Sequence, residues 1–261
     1  MAPSLHVLRA KWLEHKKDPK HQPWRFIEKP RAPFREETFS HFLINIQDES
    51  SSYRLVHLDP LRGGGVIIGE SVHWLDLACW FFEPQFPVKI QAWGSSRLSH
   101  GINLTFSEGD TATIIFSCCG TFDYPKEIYE VTSNAALFRN KFFVENEYFG
   151  VPGLDRETFR LQHDPFPELA PEGGFASYME KYKKLTQDSD NVKKVYNQFT
   201  VDKGHENMLD KFADAILNDR PSPCDEIAGH VSTYLAKLAI KSIELGQALP
   251  VLYEYIRPSI A

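Results

Sequence analysis

Residues 61–82, LRGGGVIIGESVHWLDLACWFF, decide how this chain is read. Three successive glycines run into apolar residues spaced by three and four, which predicts an amphipathic helix over 66–82. On that helix Glu70, His73 and Leu77 share a face, and Asp76 lies one turn beyond His73. A glycine run ahead of a helix also raises the question of phosphate binding. The dinucleotide fingerprint needs G-x-G-x-x-G directly after a strand, inside a strand–helix–strand unit. Neither that pattern nor G-x-x-x-x-G-K-[ST] occurs in the chain. Gly63, Gly64 and Gly65 are therefore expected to let backbone approach a neighbouring element closely before the helix starts.

Outward from this helix the hydrophobic period changes. After Pro84 and Pro87 it becomes two, and VKIQAWGSS, GINLTFS and DTATIIFSC read as strands, the last two joined by the short turn SEGD. EIYEVTS, AALFRN, KFFVENEYF and ETFRLQ continue the rhythm to about residue 162, and SHFLINIQD reads as a strand upstream. Neighbouring strands with no helix between them predict antiparallel pairing. Leu5, Leu8, Trp12 and Leu13 mark an opening helix over 4–16, followed by a connection rich in Pro and charge over 17–38. The last third is helical. It comprises a charged helix over 174–197, one with the stripe Met208, Leu209, Phe212, Ala215 and Ile216, and a final helix capped by Ser222 and closed by Gly246. The expected fold is α+β: a large, open-faced, mostly antiparallel sheet with helices packed on one face. The chain is read as a single domain over 1–261, with helix and sheet at 39–162 and helices at 163–261.

Composition narrows the function. The net charge is −6 and basic residues cluster only in pairs such as Lys183-Lys184, which argues against nucleic acid or an anionic membrane as partner. No apolar run approaches the length of a membrane span. Four cysteines show no paired spacing, and Cys118 and Cys119 fall on opposite sides of a strand, too divergent for an ordinary bridge. With an opening segment too charged for an export signal, a reducing, cytoplasmic setting is expected.

His73 with a carboxylate one turn away suits proton transfer near neutral pH, and a buried or capping histidine is an equal reading of the same residues. Glu70-x-x-His73 is also half of a metal site, but further ligands would have to come from His163 and His205, so no metal is expected. Arg62, Trp74, Tyr124 and Lys126 are candidate substrate contacts; Trp74 equally fits a core position, and Tyr124 and Lys126 a plain loop.

The stretch GGGVIIGESVHWLDL resembles the helix that opens the C-terminal domain of Gfo/Idh/MocA oxidoreductases, in the form GGG-x-I-I-G-E-x-x-H-x-x-D. DKGHENMLDKFADAILNDRPSPCDEIAGHVSTYLAKLAIKSIELGQALPV is similar to the family's closing pair of helices, and MAPSLHVLRAKWL to the helix after its nucleotide-binding domain. The resemblance implies a substrate-binding and dimerisation domain that covers a nicotinamide, with NAD or NADP as cofactor and sugars or polyols as substrates. It also implies that the chain begins where the nucleotide-binding domain ends, so no cofactor is expected to bind this chain alone. His73 matches the family's catalytic histidine and would take a hydroxyl proton as hydride leaves, with Glu70 and Asp76 orienting it. The family's catalytic lysine lies in an E-K-P motif. Glu28-Lys29-Pro30 reproduces the letters but follows the opening helix rather than preceding it, and reads as a solvated loop.

Three functions follow. The first is the substrate half of an oxidoreductase, with the nicotinamide supplied by a nucleotide-binding partner chain and a homo-oligomer formed through an apolar sheet face. The second is a cofactor-independent lyase or isomerase using His73 and Glu70. The third is a non-catalytic assembly module.

Overall fold

The computed structural model describes residues 1–17, 39–49, 58–59, 61–121, 124–163, 173–186, 200–252 and 254. In chain order the elements are α1 (Pro3–Lys17), β1 (His41–Gln47), a π turn (Ile67–Ser71) running into α2 (Val72–Phe82), β2 (Pro87–Gly94), β3 (His100–Phe106) and β4 (Thr111–Ser117). β5 (Glu127–Ser133), β6 (Ala136–Lys141), β7 (Glu145–Phe149), β8 (Arg156–Thr158) and β9 (Leu161–His163) follow. The chain then forms α3 (Gly174–Thr186), β10 (Thr200–Val201), α4 (His205–Leu217), α5 (Glu226–Leu245) and β11 (Leu249–Pro250). The class is α+β and the strands are mostly antiparallel, as expected. One pairing departs from this, because β1 runs parallel to β4.

Two compact units divide the chain, Phe39–Thr121 with Leu209–Ala261, and Met1–Thr38 with Phe122–Met208. In the first, the strand order is β11-β2-β3-β4-β1. The inward residues of these strands are the apolar phase of each alternation: Phe42, Ile44 and Ile46; Ile90 and Ala92; Ile102, Leu104 and Phe106; Ala112, Ile114 and Phe116, all buried. They pack under α2 and α5, which touch each other and the sheet. Phe42 and Phe81 lie 4.3 Å apart between ring centroids, and Phe82 meets Phe106 at 4.8 Å, so aromatic rings fill the layer between helix and sheet. The opposite face of the same strands carries His41, Asn45, Lys89, Gln91 and Asn103, all exposed, with Trp93 half-exposed beside them. That face is mixed, since Leu43 and Ile115 lie on it half-buried among the polar residues.

In the second unit β5-β6-β7-β8 form consecutive antiparallel pairs. Asn134 and Ala135, both at positive φ, make the two-residue turn between β5 and β6. α1 lies on β5, β6 and β7 and buries Leu5, Leu8 and Trp12, three of the four residues read from its spacing, while Leu13 is half-buried. Two buried amides tie this layer together. Asn140 Nδ2 donates to Asn146 Oδ1 at 2.7 Å, and Asn146 Nδ2 donates to the Ser4 carbonyl at 2.8 Å. Glu127 is buried and held by Lys203 and by the Tyr129 hydroxyl.

Two expectations about the helical third need correction. α5 is capped by Asp225, whose carboxylate accepts from the Ala228 amide at 2.9 Å. Ser222 instead donates to the Cys224 carbonyl in the turn before it. α4 buries Ala215 but leaves Leu209, Phe212 and Ile216 exposed, so most of its apolar stripe is not core. The segment after Thr186 in the predicted helix 174–197, and Glu28-Lys29-Pro30, lie outside the described residues. Gly246 closes α5 in the left-handed conformation, as expected.

Candidate functional site

The glycine run is a tight turn. The amides of Arg62, Gly63 and Gly64 all donate to the Asp59 carbonyl, at 3.2, 2.9 and 2.9 Å. These donors are directed at the chain's own carbonyl and do not form a phosphate cradle, so the residues present do not fit a nucleotide pyrophosphate at this turn. Gly65 (φ +85°) fits so closely against the following loop that a Cβ there would stand 3.0 Å from the Ser96 carbonyl oxygen and 3.2 Å from the Arg97 Cα. Close backbone approach is thus the use of at least this glycine.

The helix begins with a π turn rather than the expected α-helical turn, so one extra residue is accommodated between Ile67 and Ser71. Beyond it, α2 buries Trp74, Leu75, Leu77, Ala78, Phe81 and Phe82 against β4, α5 and the sheet's inward rings. The remaining positions form an outward stripe. Gly69, His73 and Glu83 are exposed on it, while Glu70, Asp76 and Trp80 are half-buried. His73 therefore offers its imidazole outward from a helix whose other side is locked in the core.

Asp76 is the electrostatic centre of the stripe. Burial pushes its carboxyl above the ordinary carboxylate range, His73 pulls it back, and Glu83 pushes it up again. Burial, reinforced by the Asp76 and Glu83 carboxylates, pushes the Cys79 thiol up, which keeps that sulfur protonated and unreactive. A carboxyl of raised proton affinity one turn from an exposed imidazole is an arrangement that can pass or hold a proton.

The other candidates separate. Trp74 is buried, with its ring centroid 5.3 Å from that of Phe116, so it is a core residue and cannot stack on a sugar. The helix turns it inward because its spacing matches Leu75, Leu77 and Ala78 rather than His73. Arg62 sits beside the glycine turn with a largely exposed side chain 3.9 Å from Asp59. Tyr124, half-exposed near Phe175, and Lys126 belong to the second unit. Among the described residues no three His, Cys, Asp or Glu side chains stand together as a metal site, and no helix is long and apolar enough to cross a membrane.

Sequence reasoning passed over one residue near this helix. His100 opens β3 in phase with Ile102, Leu104 and Phe106, which marks it as inward-facing, and it is buried. Its Nε2 lies 2.7 Å from the Ser71 hydroxyl and its Nδ1 2.6 Å from the Leu98 carbonyl. The ring stacks on Phe116 at 5.4 Å. Burial lowers its pKa to about 4, so it is neutral at physiological pH.

No family model and no curated protein matches the sequence. Solved structures of Gfo/Idh/MocA-type oxidoreductases do match the fold. A myo-inositol dehydrogenase from Corynebacterium glutamicum superposes with a TM-score of 0.58 at 14% identity, over 96% of this chain and 62% of that one. A putative myo-inositol dehydrogenase from Sinorhizobium meliloti gives 0.56 at 16% identity, over 96% and 63%. The WlbA dehydrogenase from Bordetella pertussis, solved with NADH and UDP-GlcNAcA, gives 0.55 at 14%, over 95% and 61%. At these identities the likeness shows the fold, which is the one the sequence resemblance implied. This chain spans less than two thirds of the length of each of these proteins.

Proposed function

We propose that this chain is the substrate-binding half of an NAD(P)-dependent sugar or polyol oxidoreductase, with the nicotinamide supplied from outside the residues described here. The observation that carries the proposal is the outward stripe of α2. His73 is exposed on a helix whose opposite side is core, with Asp76 one turn on and Glu70 one turn before. In this role His73 accepts the proton of a substrate hydroxyl, and Asp76 and Glu70 stabilise the imidazolium that results. Arg62, at the mouth of the glycine turn, supplies a cation to a carboxylate or phosphate on the substrate.

The solved neighbours support the substrate class, since their names specify inositol and a UDP-sugar acid. They support nicotinamide chemistry for the whole enzyme in the same way, while the amides of Gly63 and Gly64 are engaged by the Asp59 carbonyl rather than offered to a phosphate. A homo-oligomeric assembly and a cytoplasmic setting belong to the same reading; four free cysteines, with Cys118 buried and Cys119 exposed, fit a reducing compartment.

Titration of the purified chain with NADH and NADPH, followed by tryptophan quenching and nicotinamide fluorescence, tests the division of labour. This reading expects no saturable binding. Micromolar binding would mean a complete nucleotide site in this chain and would overturn it. One observation favours a second reading. The His73–Asp76 pair lies wholly within one unit and needs no cofactor to move a proton, as a cofactor-independent isomerase or lyase would require. Exchange of a substrate C–H for deuterium in heavy water, without nicotinamide, would select that reading.

A further inference from the structure

The buried pair Ser71–His100 has no place in the proton transfer just described, yet it sits two residues from His73. Ser71 is fully buried as the last residue of the π turn, and His100 reaches it from β3. The hydrogen-bond chemistry has one solution. The Leu98 carbonyl only accepts, so His100 Nδ1 carries the proton. Nε2 of the neutral ring is then an acceptor, and the Ser71 hydroxyl donates to it at 2.7 Å. Phe116 covers one face of the ring, parallel to it within 5°.

A π turn holds one more residue than an α turn and is rare, occurring mostly as a single-turn bulge within an α-helix. Relaxing it to an α turn would rotate Gly69 and Glu70 about the axis relative to His73. The residues after Ser71 are fixed by Trp74, Leu75, Leu77 and Phe81 in the core, and those before it by the buried Val66 and Ile67, by the Val66 amide donating to the Arg97 carbonyl and by packing of the π turn on α5; the Ser71–His100 hydrogen bond adds the side-chain anchor at the turn's last residue.

We infer that His100 is a positioning residue: by accepting the Ser71 hydroxyl hydrogen bond it holds the π turn, and so sets Glu70 against His73 on the exposed stripe. The inference rests on the proposed role of His73 for its functional meaning, but its geometry can be tested without any turnover.

The test uses three variants of the whole chain. Ser71→Ala removes the donor with minimal change of volume, His100→Phe keeps the stack on Phe116 without an acceptor, and His100→Gln offers a side-chain carbonyl in place of Nε2. The readouts are the ring NMR signals of His73 and its rate of acylation by diethyl pyrocarbonate, located by mass spectrometry. Losing one ordinary hydrogen bond shifts the equilibrium between two arrangements by about fivefold, so Ser71→Ala and His100→Phe should change that rate by up to about fivefold. His100→Gln should return it toward the wild-type value. If His100→Phe does not fold, Ser71→Ala and His100→Gln carry the comparison. Folded Ser71→Ala with an unchanged His73 rate and unchanged ring signals would overturn the inference. A changed His73 in a protein that binds no sugar or polyol would leave the positioning role standing and remove the function proposed for it.

Discussion

Acidification should destabilise the first unit through His100, and the size follows from its environment. Burial lowers the folded-state pKa from its ordinary value of 6.5 to about 4. The unfolded chain therefore binds a proton between these values that the folded chain refuses, and stability rises with pH across that window. The contribution is fully present above about pH 6.5 and is lost as pH falls toward 4. At about 1.4 kcal/mol per tenfold difference in proton affinity, this one residue makes the fold about 3 kcal/mol less stable at pH 4 than at pH 7. Burial also lowers the His41 pKa, and other groups titrate in the same range, so the absolute slope is not the test. The test is the difference between the wild-type chain and His100→Gln in urea unfolding, followed by tryptophan fluorescence at pH 4, 5, 6 and 7. The wild-type slope should exceed the variant's by about 3 kcal/mol over the range, with the excess confined below pH 6.5. Parallel slopes would refute the reasoning, because they would mean that His100 is protonated equally in both states.

The remaining expectations concern separate parts of the chain. His73→Ala should change the unfolding free energy by less than about 0.5 kcal/mol, since the side chain is exposed, and a larger loss in a urea titration would make it a structural residue. Trp74→Ala should cost about 3–5 kcal/mol by the same assay, whereas an exposed sugar-stacking tryptophan would cost far less. Asp225→Ala should cost about 1 kcal/mol and Ser222→Ala less than half of that, which separates the true cap of α5 from its neighbour. Lys203→Met leaves the buried Glu127 carboxylate without its cation and should cost about 3 kcal/mol at pH 7. Despite burial, Lys203 and the Tyr129 hydroxyl hold the Glu127 pKa below the ordinary range, so the stability from this group is present at neutral pH and lost on acidification. The penalty of Lys203→Met should accordingly shrink as pH falls through the carboxylate range.

The parts of the fold that depend on local pattern were legible in the sequence. Alternation in GINLTFS and DTATIIFSC gave two strands and their turn, and three- and four-residue spacing gave α1 and α2; on α2 it placed Leu77 on one face with Glu70 and His73, whereas Leu77 is buried and His73 exposed. Gly246 stood where a left-handed closing residue was expected. What was not legible depends on distant partners. The parallel pairing of β1 with β4 joins segments 70 residues apart in register, His41 with Thr111, and nothing local specifies its direction. The π turn inserts a residue whose tertiary contacts, the Ser71 hydroxyl on His100 of β3 and the packing on α5, come from segments distant in the chain. Ser222 and Asp225 both have the chemistry of a cap, and the φ and ψ of Asp225, not its type, decided between them. Within the site, His73 could be read as outward because it falls opposite Leu75 and Ala78 on the helix. Trp74 could not be separated from it by residue type alone, since a tryptophan suits both a core and a sugar platform. His100 did carry a signal, its phase with Ile102 and Leu104, but a single histidine at a strand start is ordinary until its partner is seen.

The proposed role of α2 requires that His73 face a sugar-like ligand. The decisive measurement is the set of His73 ring signals, by two-dimensional proton–carbon NMR, during titration with myo-inositol and with UDP-linked sugar acids, using His73→Ala to assign them. A saturable shift of the His73 signals, with exposed histidines such as His41 and His205 unmoved, is the expected result. If the folded chain meets every sugar and polyol with its His73 signals unchanged, the assignment of α2 as a substrate-facing helix is contradicted.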